Sequence, residues 1–412
     1  MSNKIRKTKY CRLCQSKKLF NFLKLGKIPV TNELKSIKQK SNFPNLDILV
    51  CRSCWHVQSG SVPISSKFYK NNYTYHTRFI KTIDDHFSKN AKIISKKYKL
   101  KKDDLVIDIG GNDGTYLKHF KNINKNIKTL CIEPTLETSN YAKSIGINVF
   151  QNFFNLKNSK KIKKKYGVPK IILCTNSYGN IDNIINFTKG LDYLINEKTI
   201  FIFENPYLVS TLKTNQFDTM YYEHVSYFSI SPLVKFFKKF NLEIFNYKKT
   251  NVHGGSIMVF VRRKKNTINN KKIRSIILSE NKFGLSKLST YKKFSNNINK
   301  IKKKLNIVID KLVMKKKTIV AYGASDRGMV LLNYCKLNNK QIKFVVDRNP
   351  FKHNYFYSGT DLKIYGVDKI IKENPDYVFL TAWNFHKEII KYLKKRIRSK
   401  YIIPLPNVKT IE

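Results

Sequence analysis

Long apolar runs are missing from this sequence, and so is a balance between the two signs of charge. No apolar stretch reaches the roughly 18 residues that a membrane-spanning helix needs. The N-terminus, Met1 to Lys7, is basic, but the apolar stretch of a signal peptide does not follow it. Both absences predict a cytoplasmic protein with no membrane partner. Only 27 acidic residues stand against 80 lysines and arginines, which gives a formal net charge of +53.

The scarcity of acidic residues invites a nucleic-acid-binding interpretation. However, the lysines are spread over every segment and accompany abundant Asn, Ile, Tyr and Phe. Codon bias in an AT-rich genome would produce this composition without selection for a basic patch. We therefore do not expect nucleic acid as the main partner, although the positive potential suits an anionic substrate such as a nucleotide diphosphate. A chain of 412 residues with 42% hydrophobic content can form two or three domains.

Cysteine is used sparingly, and four of the seven cysteines form two Cys-x-x-Cys pairs. The pairs are Cys11 with Cys14 and Cys51 with Cys54. Each pair directs two thiolates at one point, and two pairs complete a tetrahedral sulfur site for Zn²⁺. In a reducing compartment, disulfides are the weaker alternative. Because thiolates fill all four positions, we expect the metal to be structural rather than catalytic.

The sequence also lacks the Gly-x-Gly-x-x-Gly spacing that usually accompanies a bound pyrophosphate. Instead, Asp108-Ile109-Gly110-Gly111-Asn112-Asp113-Gly114 ends an apolar run and precedes a helical pattern. Its glycines let the backbone pass close under a ligand, where a Cβ atom would clash. The next predicted strand runs into Glu133, which is placed to accept hydrogen bonds from a ribose diol. These features favour S-adenosylmethionine over a dinucleotide as the cofactor.

Strands and helices alternate along the central part of the chain, which predicts an α/β fold with a parallel sheet. Open sheets of this kind bind ligands at the carboxyl ends of their strands. Asn176 and Asn180 follow such a strand and should face the cleft. Two late strands flank His253-Gly254-Gly255 and predict a closing hairpin. The predicted cofactor contacts are Asp108, Gly110, Gly111, Asn112, Gly114, Glu133, Pro134 and Asn176.

A polar stretch, Asp218 to Ser229, brings Tyr221, Glu223 and His224 into four consecutive positions. A histidine so placed is a plausible general base near neutral pH, oriented or charge-stabilised by the carboxylate. The spacing alone equally fits a polar loop with a satisfied histidine. Tyr75 lies in an aromatic-rich segment that either packs on the next domain or places a phenol in the cleft.

A second strand–turn–helix pattern begins near residue 318, after a lysine-rich helical connector, and contains Gly323-Ala324-Ser325-Asp326-Arg327-Gly328. The turn offers a helix N-terminus and one arginine, which suit a diphosphate. A structural domain that binds nothing is one alternative. NAD(P) binding with Asp347 on the ribose is another, but the glycine spacing counts against it.

The chain resembles the nucleotide-sugar C-methyltransferases over nearly its whole length. The cysteine pairs, the 108–114 turn, the stretch Tyr221 to Ser229 and His253-Gly254-Gly255-Ser256 occur here in the same order as in that family. The resemblance implies three domains. These are a zinc-ribbon domain (1–72), a class I methyltransferase core with a Rossmann-like fold (73–265), and a helical connector with a C-terminal Rossmann-like domain (266–412) that helps to hold the nucleotide sugar.

The activity implied by this resemblance is S-adenosylmethionine-dependent methylation at C3 of a dTDP-4-keto-deoxysugar. A base removes the proton beside the ketone, and the enolate carbon then takes the methyl group. The family's base-region residues fall on Tyr221, Glu223 and His224, with His224 as the candidate base, and its N-terminal active-site tyrosine falls on or near Tyr75. The predicted substrate contacts are Asn180, Tyr222, His253, Ser325 and Arg327.

Two positions depart from the pattern of that family. Asn180 stands where a histidine is common, and so does Tyr222. An amide can hydrogen-bond a sugar hydroxyl but cannot take up a proton, so the sugar or the proton path stays open. Two other functions also stay open: methylation of an oxygen or nitrogen on a sugar, and a non-enzymatic zinc-ribbon protein that binds nucleic acid. We expect a monomer or a homodimer.

Overall fold

A computed structural model describes residues 5–30, 34, 36, 43–63, 75–265 and 270–412. Both predicted domain boundaries adjoin segments outside these ranges, since 64–74 and 266–269 are not among the described residues. The described chain forms an N-terminal antiparallel sheet and two larger sheets of seven strands each. None of its helices is long and apolar enough to cross a membrane.

The N-terminal region is built from short strands around the two cysteine pairs. Its strands are β1 (Ile5–Lys7), β2 (Leu19–Lys27), β3 (Asn45–Cys51), β4 (Val57–Ser59) and β5 (Ser61–Pro63). The strands β2, β3 and β4 pair in that order as antiparallel neighbours, and β1 pairs with β5. The first cysteine pair precedes β2 and the second begins at the last residue of β3, so the β2–β3 pairing brings the two pairs together.

The central sheet has the predicted alternation of strands and helices. Its strands, together with one strand that joins the N-terminal sheet, are β6 (Leu105–Ile109), β7 (Lys128–Ile132), β8 (Asn148–Phe150), β9 (Ile171–Thr175), β10 (Ile200–Pro206), β11 (Ser226–Tyr227), β12 (Leu242–Thr250) and β13 (Ser256–Arg263). The order is β12-β13-β10-β9-β6-β7-β8, in which β6 to β10 are parallel and β13 is antiparallel to β10 and to β12. Residues of β6 are buried on both faces, as expected for an inner parallel strand.

Helices cover both faces of this sheet. They are α1 (Lys81–Lys97), α2 (Thr115–Ile123), α3 (Leu136–Ser144), α4 (Leu156–Tyr166), α5 (Ile184–Leu194), α6 (Leu208–Lys213) and α7 (Ile230–Lys238). Single 3₁₀ turns lie at Thr77–Phe79, Tyr178–Asn180, Phe217–Thr219 and Val252–Gly254. The turn at Tyr178–Asn180 follows β9, and the turn at Val252–Gly254 joins β12 to β13. The four turns carry much of the site described below.

The C-terminal region begins with the predicted helical connector and continues as a second Rossmann-like sheet. Its helices are α8 (Lys271–Phe283), α9 (Leu288–Met314), α10 (Asp326–Cys335), α11 (Asp368–Glu373) and α12 (His386–Leu393). Its strands are β14 (Ile319–Tyr322), β15 (Val345–Val346), β16 (Phe356–Tyr357), β17 (Leu362–Tyr365), β18 (Tyr377–Leu380), β19 (Lys400–Ile403) and β20 (Lys409–Ile411). The order is β16-β17-β15-β14-β18-β19-β20, with the five inner strands parallel.

The three regions pack against one another. Strand β11, from the polar stretch 218–229, pairs with β4 of the N-terminal sheet, with Ser226 opposite Gln58 and Tyr227 opposite Val57. Residues of β2, α9 and the C-terminal sheet share one apolar cluster. The polar stretch is therefore held between the N-terminal sheet and the central sheet.

Candidate active site

A first pocket of about 380 Å³ lies at the carboxyl ends of β6, β7 and β9. Seven of the eight predicted cofactor contacts line it: Asp108, Gly110, Gly111, Asn112, Glu133, Pro134 and Asn176. Gly114 does not, which corrects that prediction. It precedes α2 in a left-handed conformation (φ 74°), and a Cβ there would lie 3.1 Å from the side chain of Ala142. Its glycine is needed for the turn and for helix packing rather than for a ligand.

Close backbone contacts shape the floor of this first pocket. Gly110 has φ 69°, and a Cβ at this position would lie 2.4 Å from Ser177 Oγ. Glu133 holds the turn from the next strand, because one carboxylate oxygen accepts the Asn112 N–H (3.0 Å) and the other accepts the Thr135 N–H (3.0 Å). The Thr135 side chain also hydrogen-bonds the carboxylate, whereas Oε2, which accepts the Asn112 N–H, retains a lone pair for a further donor. Burial raises the pKa of Glu133, and the Thr135 and Asn112 bonds oppose that rise.

The first pocket differs from the rest of the chain in the kind of charged residue that lines it. Its described lining contains no lysine or arginine, but four acidic residues: Asp108, Glu133, Asp182 and Glu223. Burial, and then the neighbouring Glu133, raises the pKa of Asp108 to about 8. The Oδ1 atoms of Asp108 and Asn176 are buried and have no hydrogen-bond partner. A cationic ligand with N–H and O–H donors fits this lining, whereas a pyrophosphate would meet four carboxyl groups.

A second pocket, of about 280 Å³, lies between the segment 75–82 and the C-terminal sheet. Of the predicted substrate contacts, His253, Ser325 and Arg327 line it. Ser325 is the N-cap of α10, and its Oγ accepts the Gly328 N–H at 3.2 Å. The first turn of a helix leaves N–H groups free to bind an anion. The cationic side chains in the lining are Lys81, Arg327, Arg348 and Lys352.

The two pockets meet at Tyr75, which lines both of them. The side chain of Asn112 fixes this segment, since its Nδ2 donates to the Tyr75 carbonyl (3.0 Å) and its Oδ1 accepts the Thr77 N–H (3.1 Å). From the polar stretch, Tyr221 lines the second pocket and Glu223 lines the first. The structure therefore brings three of the four predicted catalytic residues to one junction. Burial, and then Asp113 and Glu223, raises the pKa of Tyr75.

His224 lies behind Tyr221 and is absent from the described lining of either pocket. Its Nδ1 lies 2.8 Å from the Thr219 carbonyl, which can only accept, so Nδ1 carries the proton. Burial lowers the pKa of His224 to about 4, so the ring is neutral near pH 7. Its Nε2 then accepts a hydrogen bond from the Tyr221 hydroxyl at 2.8 Å. The prediction of His224 as a base that faces the substrate changes accordingly, because His224 reaches the pocket only through Tyr221.

Asn180 and Tyr222, two predicted substrate contacts, have different surroundings. Asn180 lines the first pocket rather than the second, and its Nδ2 donates to Glu223 Oε1 at 3.1 Å. Tyr222 is fully buried, and its hydroxyl donates to the Pro44 carbonyl of the N-terminal region at 2.9 Å. The prediction that Tyr222 contacts the substrate is therefore wrong. Its side chain fastens the polar stretch to the neighbouring sheet.

Arg327 lines the second pocket, but its guanidinium group is already engaged. Nε and Nη2 donate to the two carboxylate oxygens of Asp218 (2.9 and 3.0 Å), and Nη1 donates to the His253 carbonyl (3.0 Å). This arrangement contradicts its predicted role as the arginine that holds a diphosphate. The Asp347 carboxylate is occupied as well, by the N–H groups of Ala324 (2.7 Å) and Asn349 (2.8 Å).

The four paired cysteines come together as the sequence predicts. Their Sγ atoms all lie within 4.8 Å of one another, with Cys11 and Cys54 3.5 Å apart and Cys14 and Cys51 3.6 Å apart. Four sulfurs around one zinc ion, each at about 2.3 Å, would be about 3.8 Å apart. The spacing fits a single tetrahedral ion. Between the first two cysteines, Arg12 reaches the first pocket's wall, where its Nη2 donates to the Ile181 carbonyl (2.7 Å).

Three family models match the chain in consecutive order. The model described as “Putative zinc binding domain” matches residues 11–69, “Methyltransferase domain” matches 78–246, and “C-methyltransferase C-terminal domain” matches 251–406. The curated C-methyltransferase NovU of Streptomyces niveus is 26% identical over 421 residues, which cover 100% of this chain and 99% of NovU. The chain is a C-methyltransferase with the three domains that these models describe. S-adenosylmethionine is the methyl donor of this C-methyltransferase, and zinc is its metal.

Solved methyltransferase structures match less than half of the chain. The plantazolicin methyltransferase BpumL in complex with SAH is 11% identical, with a TM-score of 0.34, and the match covers 45% of this chain and 90% of that one. A complex of the Haloferax volcanii Trm112 activator with a methyltransferase matches with 11% identity and a TM-score of 0.36, over 45% and 93% of the two chains. The matches to methyltransferase and C-methyltransferase models show an enzyme, which displaces the alternative of a non-enzymatic nucleic-acid-binding protein.

Several residues of the site were missed at the level of sequence. Arg348 and Lys352 in the second pocket follow strand β15, and Trp383 follows β18. The same reasoning about carboxyl ends of strands that identified Asn176 would have found them. Asp218, the partner of Arg327, opens the polar stretch 218–229 but carries no local signal of a partner 109 residues away.

Proposed function

We propose that this C-methyltransferase methylates a nucleotide-linked keto-deoxysugar at the carbon beside the ketone, C3 of a dTDP-4-keto sugar. One observation carries the proposal. An acid-lined pocket and a pocket with four cationic side chains meet at Tyr75, and Glu223 and Tyr221 face the two sides of that junction. A cationic methyl donor and an anionic nucleotide sugar are two ligands of opposite charge that must meet in this way.

The residues of the first pocket suit S-adenosylmethionine in detail. This cofactor, when bound, supplies an electrophilic methyl group on a sulfonium. We assign the ribose hydroxyls to Glu133, whose Oε2 keeps a free lone pair beside the Asn112 N–H. The unpartnered Oδ1 atoms of Asp108 and Asn176 accept the remaining N–H and O–H donors. Glu223, held by Asn180, places a carboxylate at the end of the pocket that adjoins Tyr75 and favours positive charge there.

The second pocket suits a nucleoside diphosphate. The N-terminus of α10 at Ser325 and the side chains of Arg348 and Lys352 supply positive potential. Arg348 pairs with Glu388 (2.6 Å), but both side chains of this pair are nearly half exposed, and the guanidinium has further donors. Two aromatic side chains in the same area, Phe79 and Phe351, are nearly half exposed, at 43% and 47%, and offer a surface for a base. We assign the diphosphate to the α10 terminus and the sugar to the Tyr75 end.

Tyr221 and His224 form the route for the proton in this proposal. The Tyr221 hydroxyl oxygen takes the proton from the sugar carbon while its own proton passes to His224 Nε2. The imidazolium that results keeps its Nδ1–H on the Thr219 carbonyl, so no atom has to move far. Burial holds the pKa of Tyr221 well above its usual value, so the hydroxyl is neutral before this step. Tyr75, also neutral, donates a hydrogen bond to the enolate oxygen.

The test is exchange of the sugar proton with deuterated solvent in the absence of any methyl donor. With dTDP-4-keto-6-deoxyglucose as the probe, the wild type should exchange the C3 proton and, with S-adenosylmethionine, add one methyl group to that carbon. Tyr221→Phe should lower both rates about 1,000-fold, within the range for removal of one acid–base group. The matched control is Tyr222→Phe, which removes one hydroxyl from the adjacent residue but none from either pocket, and should keep both rates.

Two results would contradict the proposal. Methyl transfer to an oxygen or nitrogen, with no proton exchange in the wild type, would replace carbon methylation by heteroatom methylation. Equal exchange in Tyr221→Phe and Tyr222→Phe would remove Tyr221 from the proton route and return the question to Glu223 or Tyr75.

A further inference from the structure

A buried hydrogen-bond cluster joins the C-terminal domain to the polar stretch beside the second pocket. Its centre is Asp218, whose side chain is fully buried. Its carboxylate accepts Nε and Nη2 of Arg327 (2.9 and 3.0 Å) and Nε1 of Trp383 (2.7 Å). The Arg327 guanidinium also lies over the Trp383 ring, 4.9 Å from its centroid. Both donors come from the C-terminal domain, so this domain supplies three hydrogen bonds to one carboxylate of the methyltransferase core.

The cluster extends from Arg327 to Gln216 and to the turn at 252–254. Arg327 Nη2 donates to Gln216 Oε1 (3.2 Å), and Gln216 Nε2 donates to the Gly254 carbonyl (2.7 Å). Arg327 Nη1 donates to the carbonyl of His253, a residue with a φ of 52°. A non-glycine residue at such a φ persists only where its surroundings fix it. The cluster therefore fixes the 3₁₀ turn at 217–219 and the turn at 252–254 together.

The turn at 217–219 ends with Thr219, whose carbonyl oxygen orients His224. Thr219 directly follows Asp218, and its carbonyl accepts the His224 Nδ1–H at 2.8 Å. That bond decides which nitrogen of His224 is free, and the free Nε2 accepts the Tyr221 hydroxyl. A shift of the 217–219 turn would therefore move the acceptor end of the Tyr221–His224 pair, although no residue of the cluster need touch the reacting carbon.

We propose that Asp218, through its bonds to Arg327 and Trp383, is a positioning residue that sets the Tyr221–His224 pair for proton transfer. This inference rests on the proposed function of that pair. It gives the C-terminal domain a role in the reaction step itself, besides holding the substrate. It also explains why Arg327 lines the second pocket and yet donates its hydrogen bonds to other groups of the protein.

Trp383→Phe tests the inference, since it keeps an aromatic ring but removes the N–H donor to a buried carboxylate. We expect proton exchange at saturating dTDP-4-keto-6-deoxyglucose to slow roughly tenfold, the effect of one lost hydrogen bond to a charged group. The KM for that probe and the affinity for S-adenosylhomocysteine should change less than about twofold, because the first pocket lies elsewhere. The matched control is Trp55→Phe, the same substitution at the chain's other tryptophan, which stacks on Tyr291.

Arg327→Lys serves as the second variant, in case Trp383→Phe folds poorly. A lysine keeps the charge beside Asp218 but cannot reach Asp218, Gln216 and His253 at once. Exchange should fall at least as far as in Trp383→Phe, again with normal binding of S-adenosylhomocysteine. Exchange equal to that of Trp55→Phe in both variants, while Tyr221→Phe abolishes it, would overturn the positioning role alone. Normal exchange in Tyr221→Phe would overturn the proposed function and this inference with it.

Discussion

The molecule contains two strand–turn–helix units that look alike locally. In the first, β6 leads through Gly110 (φ 69°) to α2, and in the second, β14 leads through Gly323 (φ 105°) to α10. In each, an acidic residue after the neighbouring strand accepts a main-chain N–H of the turn: Glu133 accepts from Asn112 (3.0 Å), and Asp347 accepts from Ala324 (2.7 Å). The backbone chemistry of the two turns is the same.

The surroundings of the two turns differ in charge. The first turn opens into a pocket whose described lining has four acidic residues and no lysine or arginine, whereas the described lining of the second has four lysines and arginines beside three acidic residues. In a chain with a net charge of +53, the acidic lining is the less expected of the two. A glycine turn therefore marks where a ligand can approach the backbone, and residues from other elements decide which charge that ligand carries.

The largest expected effect comes from removing one charged side chain from each pocket in turn and measuring the affinity for both ligands. Glu133→Gln should weaken S-adenosylhomocysteine binding about 30-fold, since a carboxylate that accepts several hydrogen bonds becomes a neutral amide. Binding of dTDP should not change. Arg348→Gln should do the reverse, with a weaker affinity for dTDP and an unchanged affinity for S-adenosylhomocysteine. Calorimetric titration of both variants with both ligands gives the four values.

The control for the first substitution is Glu197→Gln, an identical change at an exposed position. It corrects for the altered net charge of the chain. If Glu133→Gln weakened both ligands equally, the two pockets would not be independent sites. If it weakened neither, the acidic lining would have no part in cofactor binding.

Local patterns were sufficient to predict the two turns, the alternation of strands and helices, and the zinc cluster. These features depend on residues close in sequence, such as the apolar run of β6 before Gly110, or on pairs that repeat a spacing, such as the cysteines. The parallel strands then place Glu133 and Asn176 at one edge without further information. For this reason seven of the residues predicted to contact the cofactor line one pocket.

The errors lie where a side chain finds a distant partner. Tyr221 and Tyr222 are neighbours in an irregular segment, where no periodicity tells which of them faces a pocket, and it is the pairing of β11 with β4 that holds the segment against the N-terminal region. Arg327 has the position of a diphosphate ligand, but Asp218, 109 residues away, takes its donors. Contacts of this kind depend on how domains dock, which the spacing of one sequence does not contain.

Loss of the metal should have a smaller effect on ligand affinity, and this effect should again be confined to one of the two pockets. Arg12 lies inside the first cysteine pair and donates to the Ile181 carbonyl in the first pocket's wall (2.7 Å). Cys51→Ser should lower the zinc content and the stability, and should weaken S-adenosylhomocysteine binding about fivefold, through loss of roughly one hydrogen bond. Affinity for dTDP should remain. Zinc analysis and titration of the same preparation measure all of these quantities.

Cys335→Ser provides the comparison for that experiment, because Cys335 is a fully buried cysteine of α10 outside the metal cluster. It should keep one zinc per chain and a normal affinity for S-adenosylhomocysteine. Full zinc content in Cys51→Ser would refute the four-thiolate site. Zinc loss without any change in S-adenosylhomocysteine affinity would show that Arg12 does not link the metal to the cofactor pocket.

The smallest expected effect is the release of protons when the cofactor binds, and it should occur in the first pocket only. Burial raises the pKa of Asp108 to about 8, above its value of roughly 3.9 in an unfolded chain. This group therefore stabilises the ligand-free fold at low pH, and its contribution is lost as the pH rises through about 8. A bound cation favours the carboxylate and lowers that pKa, so S-adenosylmethionine should bind with proton release near pH 7. Its affinity should rise about threefold from pH 6.5 to 7.5, since partial release of one proton gives less than a tenfold change per pH unit.

Titration in two buffers with different ionisation enthalpies measures the protons released. The release should vanish in Asp108→Asn and should be absent when dTDP binds the wild type, because the second pocket does not contain Asp108. S-adenosylhomocysteine, which lacks the sulfonium charge, should release fewer protons than S-adenosylmethionine in the wild type. Equal release by both cofactors would mean that the carboxyl group responds to the closing of the pocket around any ligand. In that case the acidic lining would not recognise the charge of the methyl donor, and the contrast between the two pockets would reduce to their shape.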